Sequence, residues 1–323
     1  MRSALWASLA VFGLLVAALS VFPLSDRLGA DGDTSQAATQ VSKVTTGEEA
    51  AAVEGWGTPA WRDEFNGSSV DESRWRVRDS ETEGNQHYDW AVVDRDAVCV
   101  GDGVLRIRLE ELEEPVQDGE RTRYWSTGYL DTQDKHEAQY GRWEFRAKIP
   151  TDRGSSKGVW PAFWLTNETL GEIDVMESWG DPTEKFRPAQ FVETSRFTVH
   201  ESTKGDRRSQ GWWYEPITMP GEDSYMSATD FHVWTVEYTP DSLKAYMDGV
   251  LAVHLVEDEE LVSGQKVDYS WIWGETFTSS PWEMNLNLQM GDPYWTPAPV
   301  PSENTRTPTD YVVDYVRFWS FDG

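Results

Sequence analysis

The segment GRWEFRAKI, Gly141 to Ile149, alternates strictly. Trp143, Phe145, Ala147 and Ile149 take one parity, and Arg142, Glu144, Arg146 and Lys148 take the other. Successive side chains of a strand point to opposite faces, so this period of two marks a half-buried strand rather than a helix of period 3.6. VLRIRLEEL (Val104 to Leu112) alternates more loosely, while FHVWTVEYT (Phe231 to Thr239) and YVVDYVRFW (Tyr311 to Trp319) are dense in β-branched and aromatic residues. Asp248-Gly249, between SLKAYM and VLAVHLV, is a two-residue hairpin signal. No stretch of a dozen residues forms an amphipathic helix. Many short strands with polar connections predict an all-β fold, an antiparallel β-sandwich.

The aromatic residues that would fill such a sandwich begin at Trp56. From Ser25 to Gly55 the chain is Asp, Ser, Thr, Gly, Ala and Glu with scarcely an aromatic, which reads as a flexible linker. Before it, Arg2 precedes an apolar run from Ala4 to Leu24. That run reads as an export segment, either a cleaved signal peptide or an uncleaved membrane anchor, and TSQAA (Thr34 to Ala38) is the best cleavage site. The expected organisation is a targeting segment over 1–24, a linker over 25–55 and one folded domain over 56–323, extracellular or tethered to the cell surface, and a monomer. A net charge of −28 argues against nucleic acid or an anionic membrane as main partner. The single cysteine, Cys99, excludes an internal disulfide and is expected to be a small buried hydrophobe. The 18 tryptophans exceed ordinary usage, which fits a large core or a cleft that stacks on sugars.

In GEIDVMES, Glu172, Asp174 and Glu177 sit among Ile173, Val175 and Met176. Burying a carboxylate costs several kcal/mol unless it is paired or hydrogen-bonded. Glu172 and Asp174 share a face, with Ile173 and Val175 opposite, but Glu177 has the wrong parity. A one-residue β-bulge around Met176 restores it and lines up all three acids on the open face. Two glutamates at an effective i,i+4 spacing can bring their carboxyls to roughly 5–6 Å, the separation used by retaining glycosidases. Asp174 between them raises a neighbour's proton affinity and helps keep one glutamate protonated.

WPAFWL (Trp160 to Leu165) followed by GEIDVME (Gly171 to Glu177) closely resembles glycoside hydrolase family 16, whose members are β-jelly-roll endo-glycanases such as laminarinases, lichenases, agarases, porphyranases and κ-carrageenases. The resemblance covers the whole domain, through WRDEFNGSSVDESRW, YGRWEFRAKIP, DFHVWTVEYTPDSLKAYMDGVL and VDYVRFW. It implies a jelly-roll sandwich with an open cleft and a retaining endo-β-glycosidase. Glu172 would be the nucleophile, Glu177 the acid/base and Asp174 their electrostatic helper. It also implies cleft roles for Trp160 and Trp164, a sugar contact for Asn85 in EGNQHYDW, and a cleft position for His200. No organic cofactor is implied. A structural Ca²⁺ is, on the convex face, at Glu64, the Gly103 carbonyl and Asp314.

Other substrate contacts are read from the residues themselves. In PWEMNLNLQM, Asn285, Asn287 and Gln289 share a face, and Asn287 is expected to reach sugar hydroxyls. Lys185, Arg187, Arg196, Lys204, Arg207 and Arg208 form a basic stretch in an acidic chain. Arginine recognises sulfate-like groups through paired N–H donors, so Arg207 and Arg208 are candidates for contact with an anionic sugar. Many laminarinases carry a Trp where Asn167 stands and an Arg where Tyr129 stands. Both departures weaken a strict β-1,3-glucan assignment and, with the basic stretch, raise the chance of an algal galactan. A laminarin-type glucan and an algal galactan both stay open as the β-linked polysaccharide. The alternative reading, a non-catalytic lectin on the same sandwich, expects the acids to be replaced, and all three are present. A surface adhesion protein, the third reading, rests only on the N-terminal run.

Overall fold

The computed structural model describes residues 55–84, 90–119, 121–152, 154–180, 195–203, 206–214, 230–260, 266–291 and 301–321. The chain divides into two units, Met1–Ser42 and Lys43–Gly323, and every described residue belongs to the second. The apolar N-terminal run and nearly all of the linker therefore lie outside the described residues. No helix among those described is long and apolar enough to cross a membrane.

The strands are β1 (Trp61–Asp63), β2 (Arg76–Val77), β3 (Ala91–Val93), β4 (Val98–Gly101), β5 (Val104–Asp118), β6 (Arg121–Thr127), β7 (Tyr129–Asp131), β8 (Glu137–Ala138), β9 (Gly141–Lys148) and β10 (Val159–Thr166). They continue as β11 (Gly171–Glu177), β12 (Arg196–Thr203), β13 (Asp206–Trp213), β14 (His232–Tyr238), β15 (Leu243–Met247), β16 (Val250–Leu255), β17 (Asp258–Glu260), β18 (Lys266–Asp268), β19 (Trp282–Met290) and β20 (Thr309–Ser320). One sheet runs β16-β15-β14-β9-β20-β5-β6-β3, with β1 on β20 and β4 on β5. The other, the cleft sheet, runs β13-β12-β11-β10-β19-β7-β2, with β8 on β19. Pairing is antiparallel apart from β3 with β6. The expected antiparallel sandwich is what the chain forms.

The alternation in β9 places Trp143, Phe145, Ala147 and Ile149 in the core. Phe145 meets Phe163 of β10 across the two layers, ring centroids 4.3 Å apart, and stacks on Trp234 of β14 at 5.1 Å. Ile173, Val175 and Met176 of β11 and Met284, Leu286 and Leu288 of β19 complete the layer beneath the cleft. Each such large side chain contributes on the order of 2–3 kcal/mol by leaving water. The floor of the cleft is thus held down from behind. The hairpin signal also holds: Met247 pairs with Val250, and Asp248 (φ 50°) and Gly249 (φ 75°) make the left-handed two-residue turn.

One expectation fails here. Cys99 is exposed, because β4 is a short strand on which Cys99 stands opposite Arg106 rather than over the core. The polar parity of β9 is itself partly buried. Arg142 and Glu144 are buried, with Arg142 bridging Glu144 at 2.9 Å and Glu237 of β14 at 2.6 Å. The Arg142 guanidinium lies 5.6 Å from the Trp319 ring and 5.9 Å from the Tyr246 ring, which shield it from water.

Candidate active site

Strand β11 lies between β10 and β12 and faces the cleft with Glu172, Asp174 and Glu177. On β10 these pair with Thr166, Trp164 and Ala162, and on β12 with His200, Thr198 and Arg196. From Glu172 to Asp174 both neighbours advance two residues. From Asp174 to Glu177 they again advance two while β11 uses three. That is the one-residue bulge. Val175 is the residue left without a β10 partner, one position before Met176, and both side chains go into the core. The carbonyl of Val175 accepts a 2.7 Å hydrogen bond from the buried Tyr214 hydroxyl. All three acids consequently share the cleft face.

Their environments differ. The Glu172 side chain is 32% exposed, open to an incoming sugar, while Asp174 and Glu177 are buried. Burial raises the Glu177 proton affinity well above its ordinary value, and the nearby Asp174 adds to the rise. Asp174 is raised too, by burial first and then by Glu172. A hydrogen bond from Glu177 to Asp174 opposes that rise, which fits a protonated Glu177 donating to an Asp174 carboxylate. Thr198 Oγ1 sits 3.4 Å from Glu177 Oε2.

His200 orders the other side. Its Nε2 lies 3.1 Å from Asp174 Oδ2 and 3.6 Å from Glu172 Oε1, close without the alignment of a hydrogen bond. Its Nδ1 lies 3.3 Å from Arg207 Nη2. A guanidinium only donates, so Nδ1 accepts and the ring proton belongs on Nε2, facing the carboxylates. Burial lowers the proton affinity of His200, which favours the neutral ring. Arg207 also stands 3.8 Å from Glu172.

A cavity of about 210 Å³ opens over this group, bounded by Trp160, Trp179, Arg196, Thr198, His200 and Arg207 together with Glu172 and Glu177. One accessible carboxyl, one buried protonated carboxyl and an indole wall are what displacement at a sugar carbon requires.

Residues 84–285 match the profile described as Glycosyl hydrolases family 16. The chain belongs to that family. It is 32% identical over 211 residues to the Glucan endo-1,3-beta-glucosidase A1 of Niallia circulans, a match covering 58% of this chain and 28% of that protein. It is 28% identical over 277 residues to the Beta-glucanase of Rhodothermus marinus, covering 80% and 84%. Among solved structures, the laminarinase catalytic domain of Thermotoga maritima MSB8 superposes with a TM-score of 0.63 at 26% identity, covering 82% of this chain and 99% of that one. This family 16 domain is therefore a glycosidase, hydrolysing O-glycosyl bonds, and its sandwich is the jelly roll.

Within the family 16 cleft, the structure sorts the remaining expected residues. Trp160 lines the cavity, its ring 6.0 Å from that of Trp179. Trp164 lies on the same face and donates its Nε1–H to Asn287 Oδ1 at 2.7 Å. His200 and Arg207 line the cavity. Asn85, like Lys185, Arg187 and Lys204, lies outside the described residues.

Several expectations need correcting. Asn287 is fully buried, so it anchors the Trp164 indole from below instead of reaching sugar. Asn285 is similarly buried and accepts from the Tyr129 hydroxyl at 2.7 Å. Arg208 points away from the cleft: Ser209 stands opposite His200, Arg208 opposite Glu201, and its guanidinium pairs with Glu201 at 3.7 Å. The calcium set does not fit an oxygen cage. Glu64 is held by Arg317 through two 2.8 Å hydrogen bonds, and Asp314 is paired with Arg146. Guanidinium groups occupy both carboxylates, while Gly103 serves a left-handed turn at φ 74°.

The unforeseen cleft residues are Trp179, Thr198 and Ser209, and Arg196 of the basic stretch joins them. Arg196 is cross-strand from Glu177 and largely buried; a Cβ at Gly211 would fall 2.3 Å from its Nε and Nη2. Gly211 thus makes the space Arg196 occupies. Arg196, Thr198 and His200 share a parity in RFTVHES, which was the available signal. Asn167 has a local reason for its identity. Its Oδ1 accepts from Gly171 N at 2.8 Å and Thr169 N at 3.2 Å, and its Nδ2 donates to Thr276 O at 2.9 Å. It closes the β10–β11 turn from inside.

Proposed function

We propose that the domain is a retaining endo-glycosidase of β-1,3-linked, laminarin-type glucan, exported from the cell. Glu172 attacks the anomeric carbon while Glu177 protonates the departing glycosidic oxygen. Glu177, now a carboxylate, then takes a proton from the water that releases the glycosyl-enzyme. Burial first, and then Asp174, keep the proton on Glu177. The single observation that carries the reading is the bulge, which puts an accessible Glu172 and a buried, proton-holding Glu177 on one face.

Charge balance supports a neutral sugar. With Glu177 protonated, the carboxylates of Glu172 and Asp174 face the guanidiniums of Arg196 and Arg207, leaving no surplus positive charge for a sulfate. The glucanases and the laminarinase compared above are named for glucan, although a keratan-sulfate endo-1,4-beta-galactosidase and a beta-porphyranase are also among the relatives. A sulfated galactan is the second reading, favoured by the 57% exposure of the Arg207 side chain at the cavity rim. The apolar run from Ala4 to Leu24 supports export, as a cleaved signal or an anchor.

The test is a reducing-end assay on laminarin, lichenan, agarose, porphyran and κ-carrageenan at low and high salt. Cleavage of laminarin that survives Arg207→Ala at reduced rate is expected. Cleavage of sulfated galactans alone, lost in Arg207→Ala, would replace the first reading by the second. A Glu172→Gln variant as active as wild type would remove both.

A further inference from the structure

A second cavity lies on the other sheet, on the side turned away from the cleft. It encloses about 470 Å³, within the range of small-ligand sites. Trp56 and Phe321 make an angled aromatic wall, ring centroids 6.1 Å apart at 58°, and Phe321 is 36% exposed. Tyr246 of β15, Ser242 and Ser320 also line the cavity, and the Ser242 hydroxyl lies 3.2 Å from that of Thr239.

The floor is the buried carboxylate of Glu237. It accepts from Arg142 Nη1 at 2.6 Å, Trp56 Nε1 at 2.9 Å and the Tyr246 hydroxyl at 3.1 Å, with Lys244 Nζ at 3.8 Å. These contacts tether the Trp56 indole and the Tyr246 phenol to Glu237. They also select the ligand. A metal ion would have to displace Arg142 and Lys244 from Glu237, and an anion would face that carboxylate in a chain of net charge −28. A purely apolar ligand would take the partly exposed Lys244 ammonium out of water with Glu237, at 3.8 Å, as its partner. A neutral, polyhydroxylated ring fits this lining: its C–H face covers an aromatic plane, and its hydroxyls meet Ser320 and Lys244 at the rim while Glu237 stays paired beneath.

We propose that this cavity is a second carbohydrate-binding site, remote from the cleft, which holds a stretch of the same neutral β-glucan that the cleft cuts. Its sugar class rests on the reading of the cleft given above. Because the two sites open on opposite sheets, the outer one engages another segment or another chain, and holds the domain on an extended or insoluble substrate. The gain would come through effective concentration, with no change in chemistry at the cleft.

The experiment uses the full chain carrying Glu172→Gln, titrated calorimetrically with laminarihexaose, beside the wild type assayed on soluble laminarihexaose and on insoluble β-1,3-glucan. Two binding sites are expected, falling to one when Phe321→Ala is added. The same loss is expected with Ser320→Trp, which puts an indole into the cavity mouth without removing a core contact. In the otherwise wild-type chain, both changes should leave kcat/KM on laminarihexaose within twofold and lower retention on insoluble glucan at least fivefold. A stoichiometry of one before and after either change, or unaltered retention on insoluble glucan, overturns the second site while leaving the cleft reading intact. One site, lost with either change, beside a wild-type protein that cuts no glucan, would overturn the cleft reading and leave the second site standing.

Discussion

Replacing Glu177 by glutamine separates its chemical role from its energetic one. The amide keeps the shape of the acid and cannot deliver a proton. General acid catalysis contributes ~10²–10⁴-fold, so kcat/KM on polysaccharide should fall by that factor, about 3–5 kcal/mol of transition-state stabilisation. Stability should move the other way. Burial and Asp174 raise the folded proton affinity of Glu177 above its ordinary value of 4.5. Such an acid favours the folded state below its unfolded pKa and loses that advantage as pH climbs through the folded one. Glutamine mimics the protonated form at every pH. The variant and wild type should therefore melt together near pH 4, and the variant should gain on the wild type as pH rises to 8. Each tenfold difference in proton affinity is worth about 1.4 kcal/mol, or about 2–4 °C in a domain of this size. The assay is differential scanning calorimetry across pH 4–8 beside reducing-end kinetics. A variant that melts below wild type at pH 8 would mean that Glu177 is held by net favourable ionic contacts, and the assignment of a buried protonated acid would be wrong.

Three further outcomes follow from named contacts. Burial, and then Asp131, push Glu283 up to about 7. Wild type should lose stability between pH 4.5 and 7 through this group, ~3 kcal/mol unscreened and about 1–2 kcal/mol once its partial exposure is allowed for. Glu283→Gln should flatten that stretch of the Tm profile, and an unchanged slope would refute the cause. Gly211→Ala sets a methyl 2.3 Å from the Arg196 guanidinium, so the flexible arginine tip must move on the order of 1 Å; Tm should shift by less than about 4 °C while kcat/KM drops, and unaltered kinetics would show that Arg196 does not matter to the cleft. Calcium or EDTA should leave Tm unchanged, since Arg317 and Arg146 hold the two carboxylates; a clear calcium-dependent rise would mean that the guanidiniums yield.

Much of the architecture is legible wherever one parity is apolar, as in β9, where Trp143, Phe145 and Ala147 went inward as the pattern required. The bulge was legible for the same reason: parity alone forces an extra residue between Asp174 and Glu177. What parity cannot do is say what lies above a polar face. Asn287 reads as an open amide, yet the Trp164 indole sits on it, and that contact joins positions 123 residues apart. Adjacent arginines pose the same problem. Arg207 and Arg208 necessarily face opposite ways, and only the pairing of Ser209 with His200 tells which one sees the cleft. The Glu64–Arg317 pair spans 253 residues, and nothing local to Glu64 announces a guanidinium in place of a metal.

The bulge also governs how the sheet counts. Both neighbours of β11 change step at the same place, β10 between Phe163 and Trp164 and β12 opposite Asp174 to Glu177. A strand sliding by one residue along a regular partner keeps its hydrogen bonds and merely inverts its faces. Against β11 it could match the half before the bulge or the half after it, never both, and Tyr214 ties the extra carbonyl of Val175 in place. The irregularity that brings Glu177 round to the cleft is therefore also a phase mark, one that allows the central strands a single alignment and rejects the slipped ones.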